Sequence, residues 1–368
     1  MKSLLFCVVF LELVWFGYGY GQSQDDHHPL APAFFVFGDS LVDSGNNNYI
    51  PTLARANYFP YGIDFGFPTG RFCNGRTVVD YGATYLNLPF VPPYLSPLSI
   101  GQSVLRGLNY ASAAAGILDE TGQHYGARTT FSGQISQFEM TIELRLRPFF
   151  QNPADLKKYL AKSIIGINIG SNDYINNYLM SERYSNSRIY NGEEYADLLI
   201  KTLSAQISRL YNLGARKMVL AGAGPLGCIP SQLSMASGNN NNSGCVTKIN
   251  NLVSMFNSRV KDLANTANTS LPGSFFIYQN IYDLFHDMVV NPFKYGLVIP
   301  NKACCGNGRY GGALTCLPLQ QPCLNRQEYV FWDAFHPTET ANKIIAHNTF
   351  SKSAKYSYPI SVYELAKL

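Results

Sequence analysis

Charge is scarce in this chain. Asp, Glu, Lys and Arg together supply only 14% of 368 residues, against about 25% in ordinary soluble domains, so the surface must be built largely from neutral polar groups. The net charge of +4 comes without any basic run, which removes the electrostatic footprint of a nucleic-acid binder. Long hydrophobic runs are also lacking beyond the N-terminus, where even the apolar stretch is shorter than the ~20 residues of a spanning helix. No C-x-x-C with a second matching pair exists to frame a zinc site. The G-x-S-x-G elbow is absent too, which argues against an ordinary α/β-hydrolase. No internal repeat and no long linker divides the chain.

Apolar residues at 46% and aromatics at 14% are enough for a large core. The opening residues, "MKSLLFCVVFLELVWFGYGYGQSQDDHHP", place Lys2 before an apolar stretch and then small and polar residues. That is the layout of a secretory signal peptide, with Glu12 its one irregularity. Residues 1–22 are therefore expected to be removed, leaving 23–368 as a single domain outside the cell or in its wall. Cysteine usage agrees with an oxidising compartment. Without Cys7, Cys73 stands early, while Cys228, Cys245, Cys304, Cys305, Cys316 and Cys323 lie late. Six cysteines allow fifteen connectivities, of which a Cys228–Cys245 bridge is expected because it staples the loop "SGNNNNSG". Sequons at Asn241 and Asn268 are candidate glycosylation sites in such a chain.

Short β-branched or aromatic runs alternate with helical patterns. "AFFVF" (33–37), "SIIGINI" (163–169), "KMVLAG" (217–222) and "SFFIYQ" (274–279) read as strands. Helical spacing of apolar residues covers roughly 134–148, 191–213, 246–266 and 337–351. Strand, helix, strand in this order argues for α/β architecture with a mainly parallel sheet between helices. The Pro-, Gly- and Tyr-rich segment 50–130 reads as loops and short helices that could shape a cleft.

In open parallel sheets, ligands bind beyond the carboxyl ends of the strands. "AFFVF" delivers Gly38, Asp39 and Ser40 there, "SIIGINI" delivers Ser171 and Asn172, and "EYVFW" delivers Asp333 and His336. A serine hydroxyl is inert until a base takes its proton. His336 is the candidate base, with Asp333 three residues ahead to orient it. Asp283 and His286 repeat the spacing, but inside a helix-like segment, and are read as structural. Asn172 and the Ser40 amide are candidate oxyanion donors. Asp43 and Asn46 to Asn48 are suited to hold the loop after Ser40 by side-chain to backbone bonds.

Six blocks in order, "FVFGDSLVDSGNNN", "GRFCNGRTVVD", "NYASAAAGILDET", "IGINIGSNDY", "GAGPLGCIPSQ" and "NRQEYVFWDAFHPTETAN", span nearly the whole mature chain. In these the sequence resembles the plant GDSL esterase/lipase family of the SGNH hydrolase superfamily. The resemblance implies a three-layer α/β/α, flavodoxin-like fold, a Ser40, Asp333 and His336 triad, and an oxyanion hole from Ser40, a glycine of the third quoted block, and Asn172. Where relatives often carry more glycine, positions 113 to 115 here are all Ala, so Gly116 is the glycine expected to serve. The implied activity is hydrolysis of lipid or other carboxylic esters through an acyl-enzyme, with no metal or organic cofactor required. The same chemistry with another acyl acceptor makes a transacylase. A non-catalytic binding protein on the same fold is the reading from a different class.

Overall fold

The computed structural model describes residues 28–236 and 244–368. The segment 1–22 and the sequon at Asn241 lie outside the described residues. Four of the apolar runs form β1 (Phe34–Gly38), β2 (Ile164–Asn168), β3 (Lys217–Ala221) and β4 (Phe275–Gln279), paired in parallel in that order. Runs apolar at nearly every position suit strands covered on both faces. Phe35, Phe37, Ile165 and Ile167 pack with the helices Phe131–Met140, Gly192–Asn212 and Thr247–Ser270. The alternate residues, Phe34, Val36, Ile164 and Val219, pack with Val78–Tyr85, Glu339–Phe350 and Val362–Lys367. The result is the expected three-layer α/β/α arrangement.

At one edge Ser357–Tyr358 adds a short antiparallel strand to β4. Along the other edge runs an extended segment whose Tyr110 amide donates to the Val36 carbonyl, while the Val36 amide donates to Leu108. The chain therefore leaves β1 on one side for residues 108–112 and on the other for β2. That divergence is the topological switch point of a doubly wound sheet, where a crevice opens above the strand ends.

One strand departs from expectation. "EYVFW" forms β6 (Tyr329–Phe331), which joins no strand of the central sheet and pairs in parallel with β5 (Ile299–Ala303). Its neighbourhood explains this. The amides of Cys304 and Cys305 donate to the carbonyls of Phe331 and Trp332, and the same two cysteines are bridged to Cys323 and Cys316. A stapled loop thus occupies the strand's hydrogen-bonding edge. The Cys228–Cys245 bridge is formed as expected, and Cys73 is buried and free.

Asn268, the asparagine of the other sequon, contacts the backbone of β4. Its Nδ2 donates to the Phe276 carbonyl at 3.0 Å and its Oδ1 accepts from the Phe276 amide at 2.7 Å. The side chain ties the end of the helix Thr247–Ser270 to β4.

Gly38 ends β1 at φ 153°, where an added Cβ would lie 2.2 Å from the Asn168 carbonyl oxygen and 2.7 Å from Val42. Backbone on a neighbouring strand cannot swing aside as a flexible side chain can. Gly38→Ala is expected to lower unfolding stability by about 1–3 kcal/mol, read as a shift in the denaturant midpoint.

Candidate active site

The site stands at the switch point. Ser40 follows β1, Asn172 follows β2, and Ala113 and Ala114 come from the segment flanking β1's other side; all line one cleft of about 800 Å³. Several side chains hold this rim. Gln134 grips the last residue of β1, accepting from the Gly38 amide at 2.9 Å and donating to its carbonyl at 2.8 Å. Asp43 accepts from the amides of Gly45 and Asn46, both at 2.7 Å. Asn46 donates to the carbonyls of Asn109 and Ala111, and Asn47 to those of Ala54 and Ala113. The polar run after Ser40 is therefore a clamp joining two separate segments of the chain.

Asp333 and His336 reach the same cleft from β6. The Nε2 of His336 lies 2.8 Å from Ser40 Oγ, and its Nδ1 lies 2.8 and 2.9 Å from the two oxygens of Asp333. A carboxylate facing Nδ1 fixes the proton there, which leaves the Nε2 lone pair to accept from the serine. The turn is tight because Asp333 Oδ1 also accepts from the amides of Phe335 and His336. Asp333 is completely buried. Burial pushes its carboxyl up, but the facing His336 charge and hydrogen bond, Tyr61 and the Phe335 amide outweigh it and hold the group below its ordinary value.

Tyr61 is the partner that the sequence reading missed. Its hydroxyl donates to Asp333 Oδ2 at 2.5 Å and lies 3.1 Å from Thr315 Oγ1. Burial, with the adjacent Asp333 charge, raises this phenol well above its ordinary value, so it remains a neutral donor. The "PYGIDF" stretch held the residue in plain view, but no spacing rule links position 61 to position 333. Tyr58, one turn earlier, donates to the Cys316 carbonyl, so the tyrosine loop is seated on the stapled loop.

Asn172 is 5% exposed, and its amide orientation is fixed: Nδ2 donates to the Ala115 carbonyl at 2.9 Å while Oδ1 accepts from Asn176 at 2.6 Å. An NH₂ group has two protons, so one is left for a ligand. Among the described residues, the amides of Ser40 and Ala114 donate to no protein acceptor. Gly116 corrects the sequence expectation. It is absent from the cleft wall, and a Cβ there would meet Thr121 at 2.4 Å and Asp173 at 2.6 Å. The reason is Asp173, whose carboxylate accepts from the amides of Ile117 and Leu118 and from Thr121. These bonds turn that end of the segment inward, leaving Ala114, at φ 66°, beside the cleft. The other Asp and His pair is indeed peripheral: Asn280 caps the helix holding Asp283, and the ring of His286 stacks on Tyr282.

The sequence pattern of the family described as GDSL-like Lipase/Acylhydrolase matches residues 34–349. The chain belongs to this family, and so to the carboxylic ester hydrolases. It is 87% identical to GDSL esterase/lipase 7 of Arabidopsis thaliana over 368 residues, covering 100% of each chain. Two further GDSL esterase/lipases of Arabidopsis thaliana are 47% identical over 98% of both chains, and 48% identical over 92% of this chain and 86% of the relative. No described helix is long and apolar enough to cross a membrane.

Two outcomes are expected from this geometry. Tyr61→Phe removes one hydrogen bond to a buried carboxylate, worth about 1.5–3 kcal/mol; a fall in kcat of roughly tenfold to a hundredfold, with KM little changed, would be seen in steady-state ester hydrolysis. Asp39 concerns stability instead. It is buried with no partner on Oδ2, and burial is the main cause raising its carboxyl from 3.8 to about 7. The folded chain therefore binds more proton than the unfolded chain between those values. This group's contribution is fullest below pH 3.8 and is lost as pH rises through about 7, with a slope of at most ~1.4 kcal/mol per pH unit. Asp39→Asn should flatten the decline of stability across that window, measured by denaturation at successive pH values.

Proposed function

We propose that this chain is a secreted serine ester hydrolase, a single domain of residues 23–368 once a signal peptide of residues 1–22 is removed, working through an acyl-enzyme on Ser40. The observation that carries the reading is the continuous line of short contacts from Ser40 Oγ to His336 Nε2 and from His336 Nδ1 to Asp333. As Ser40 Oγ bonds to the ester carbonyl carbon, its proton passes to His336 Nε2. Asp333 stabilises the resulting imidazolium. Negative charge on the former carbonyl oxygen is met by the amides of Ser40 and Ala114 and the free proton of Asn172. The bond to the alcohol oxygen then breaks, and His336 gives its proton to the leaving alcohol. Water enters, loses a proton to His336 and attacks the acyl carbon; cleavage of the Ser40 ester releases the acid as the proton returns to Oγ. Every proton thus passes through His336.

The three bridges Cys228–Cys245, Cys304–Cys323 and Cys305–Cys316 support the secreted location, since such bonds persist in oxidising compartments. Lipid breakdown is the role most in keeping with the cleft's mixture of apolar and polar walls.

A fluorophosphonate probe tests the mechanism directly. It should add to Ser40 of the purified protein, located by mass spectrometry. Ser40→Ala should lose the adduct and at least about 10⁴-fold in kcat. Labelling elsewhere, or unchanged turnover in the variant, would overturn the assignment.

A further inference from the structure

Beside the catalytic cleft lies a second void of about 640 Å³, at the carboxyl ends of β2 and β4, reaching Gly224, Phe285 and Ile345. The two hollows share five wall residues: Leu41, Ser171, Leu226, Ile229 and Phe335. Three of these adjoin the reacting groups in sequence. Leu41 follows Ser40, Ser171 precedes Asn172, and Phe335 precedes His336. Three of the five shared wall residues are thus the chain neighbours of the nucleophile, the oxyanion amide and the base, so the second hollow begins one residue away from each reacting group.

Their chemistries differ. The catalytic cleft presents Arg55, whose buried Nε has no partner, together with Tyr58, Tyr125, Asn176 and Thr315. The second void is walled mainly by aliphatic and aromatic side chains, with Gln279, whose buried Nε2 also lacks a partner, among its few polar members. Polar donors suit an alcohol half bearing oxygens, while a hydrocarbon chain gains most by leaving water for an apolar space. We propose that the second void is the acyl-chain subsite, so that the chain prefers esters of medium or long aliphatic acids to acetyl esters. This inference rests on the hydrolase reading above.

Gly224 offers a way to close the void. No heavy atom lies within 4 Å of where its Cβ would be, and the extended backbone favoured before Pro225 accepts a larger residue. A larger residue at this position therefore starts in open space at the wall of the void.

The test compares p-nitrophenyl decanoate with p-nitrophenyl acetate, using the native chain and Gly224→Leu, with circular dichroism to verify folding. Each methylene taken from water raises kcat/KM by about fourfold, so burial of even two predicts at least a tenfold preference of the native chain for decanoate. Gly224→Leu should lower the decanoate-to-acetate ratio by tenfold or more. An unchanged ratio in a folded variant, with both esters still hydrolysed, would overturn the subsite alone. If the variant fails to fold, a native ratio of one or less across a series of acyl lengths would overturn it too. Hydrolysis of neither ester, with no fluorophosphonate adduct, would bring down the hydrolase reading and the subsite together.

Discussion

A carboxylate shut away from water needs other charges and donors around it, and Asp333 is the group on which this arrangement turns. An isolated buried ion costs far more than most single contacts return. Here the cost is offset by the His336 ring, two backbone amides and the Tyr61 hydroxyl. Each donor imposes a demand on the fold. The amides require a tight turn after β6, and Tyr61 requires a distant loop to fold over that turn. The loop in turn leans on Thr315 and the Cys316 carbonyl, next to the Cys305–Cys316 bridge. Residues far apart in sequence are thus drawn together around one buried charge.

The sheet solves a separate problem, that of bringing Ser40 and Asn172 to one place. Its strands diverge at β1, and side chains beyond the divergence face a common crevice. The proposed nucleophile and oxyanion donors come from this central sheet, while the proposed acid and base arrive from the small β5–β6 pair. The 2.8 Å contact between Ser40 and His336 therefore joins two sheets that share no strand.

Much of this was legible in the sequence, and for identifiable reasons. β1 to β4 announced themselves because strands buried on both faces are apolar at nearly every position, and Ser40 and Asn172 followed as the residues at their ends. Asp333 and His336 could be read together because three residues in a turn is a local relation. What escaped was non-local. Nothing adjacent to Tyr61 marks it as a partner of Asp333. Nor could spacing reveal that Asp173 would draw Gly116 inward and leave Ala114 at the cleft, or that Asn268 would bond to the Phe276 backbone. β6 looked like any other strand until its edge was found covered by cysteine-stapled backbone.

The clamp beneath Ser40 is built mostly from amides. Asn46, Asn47 and Gln134 hold backbone carbonyls and amides with uncharged groups, in keeping with a chain so short of charged residues. Mobile ions screen interactions between exposed charges over about 8–10 Å at ordinary ionic strength, but they exert little pull on a buried amide dipole. Salt that would weaken a loop fastened by surface ion pairs leaves this one almost unaffected, so the seat of Ser40 is decoupled from the ionic composition of the fluid around it.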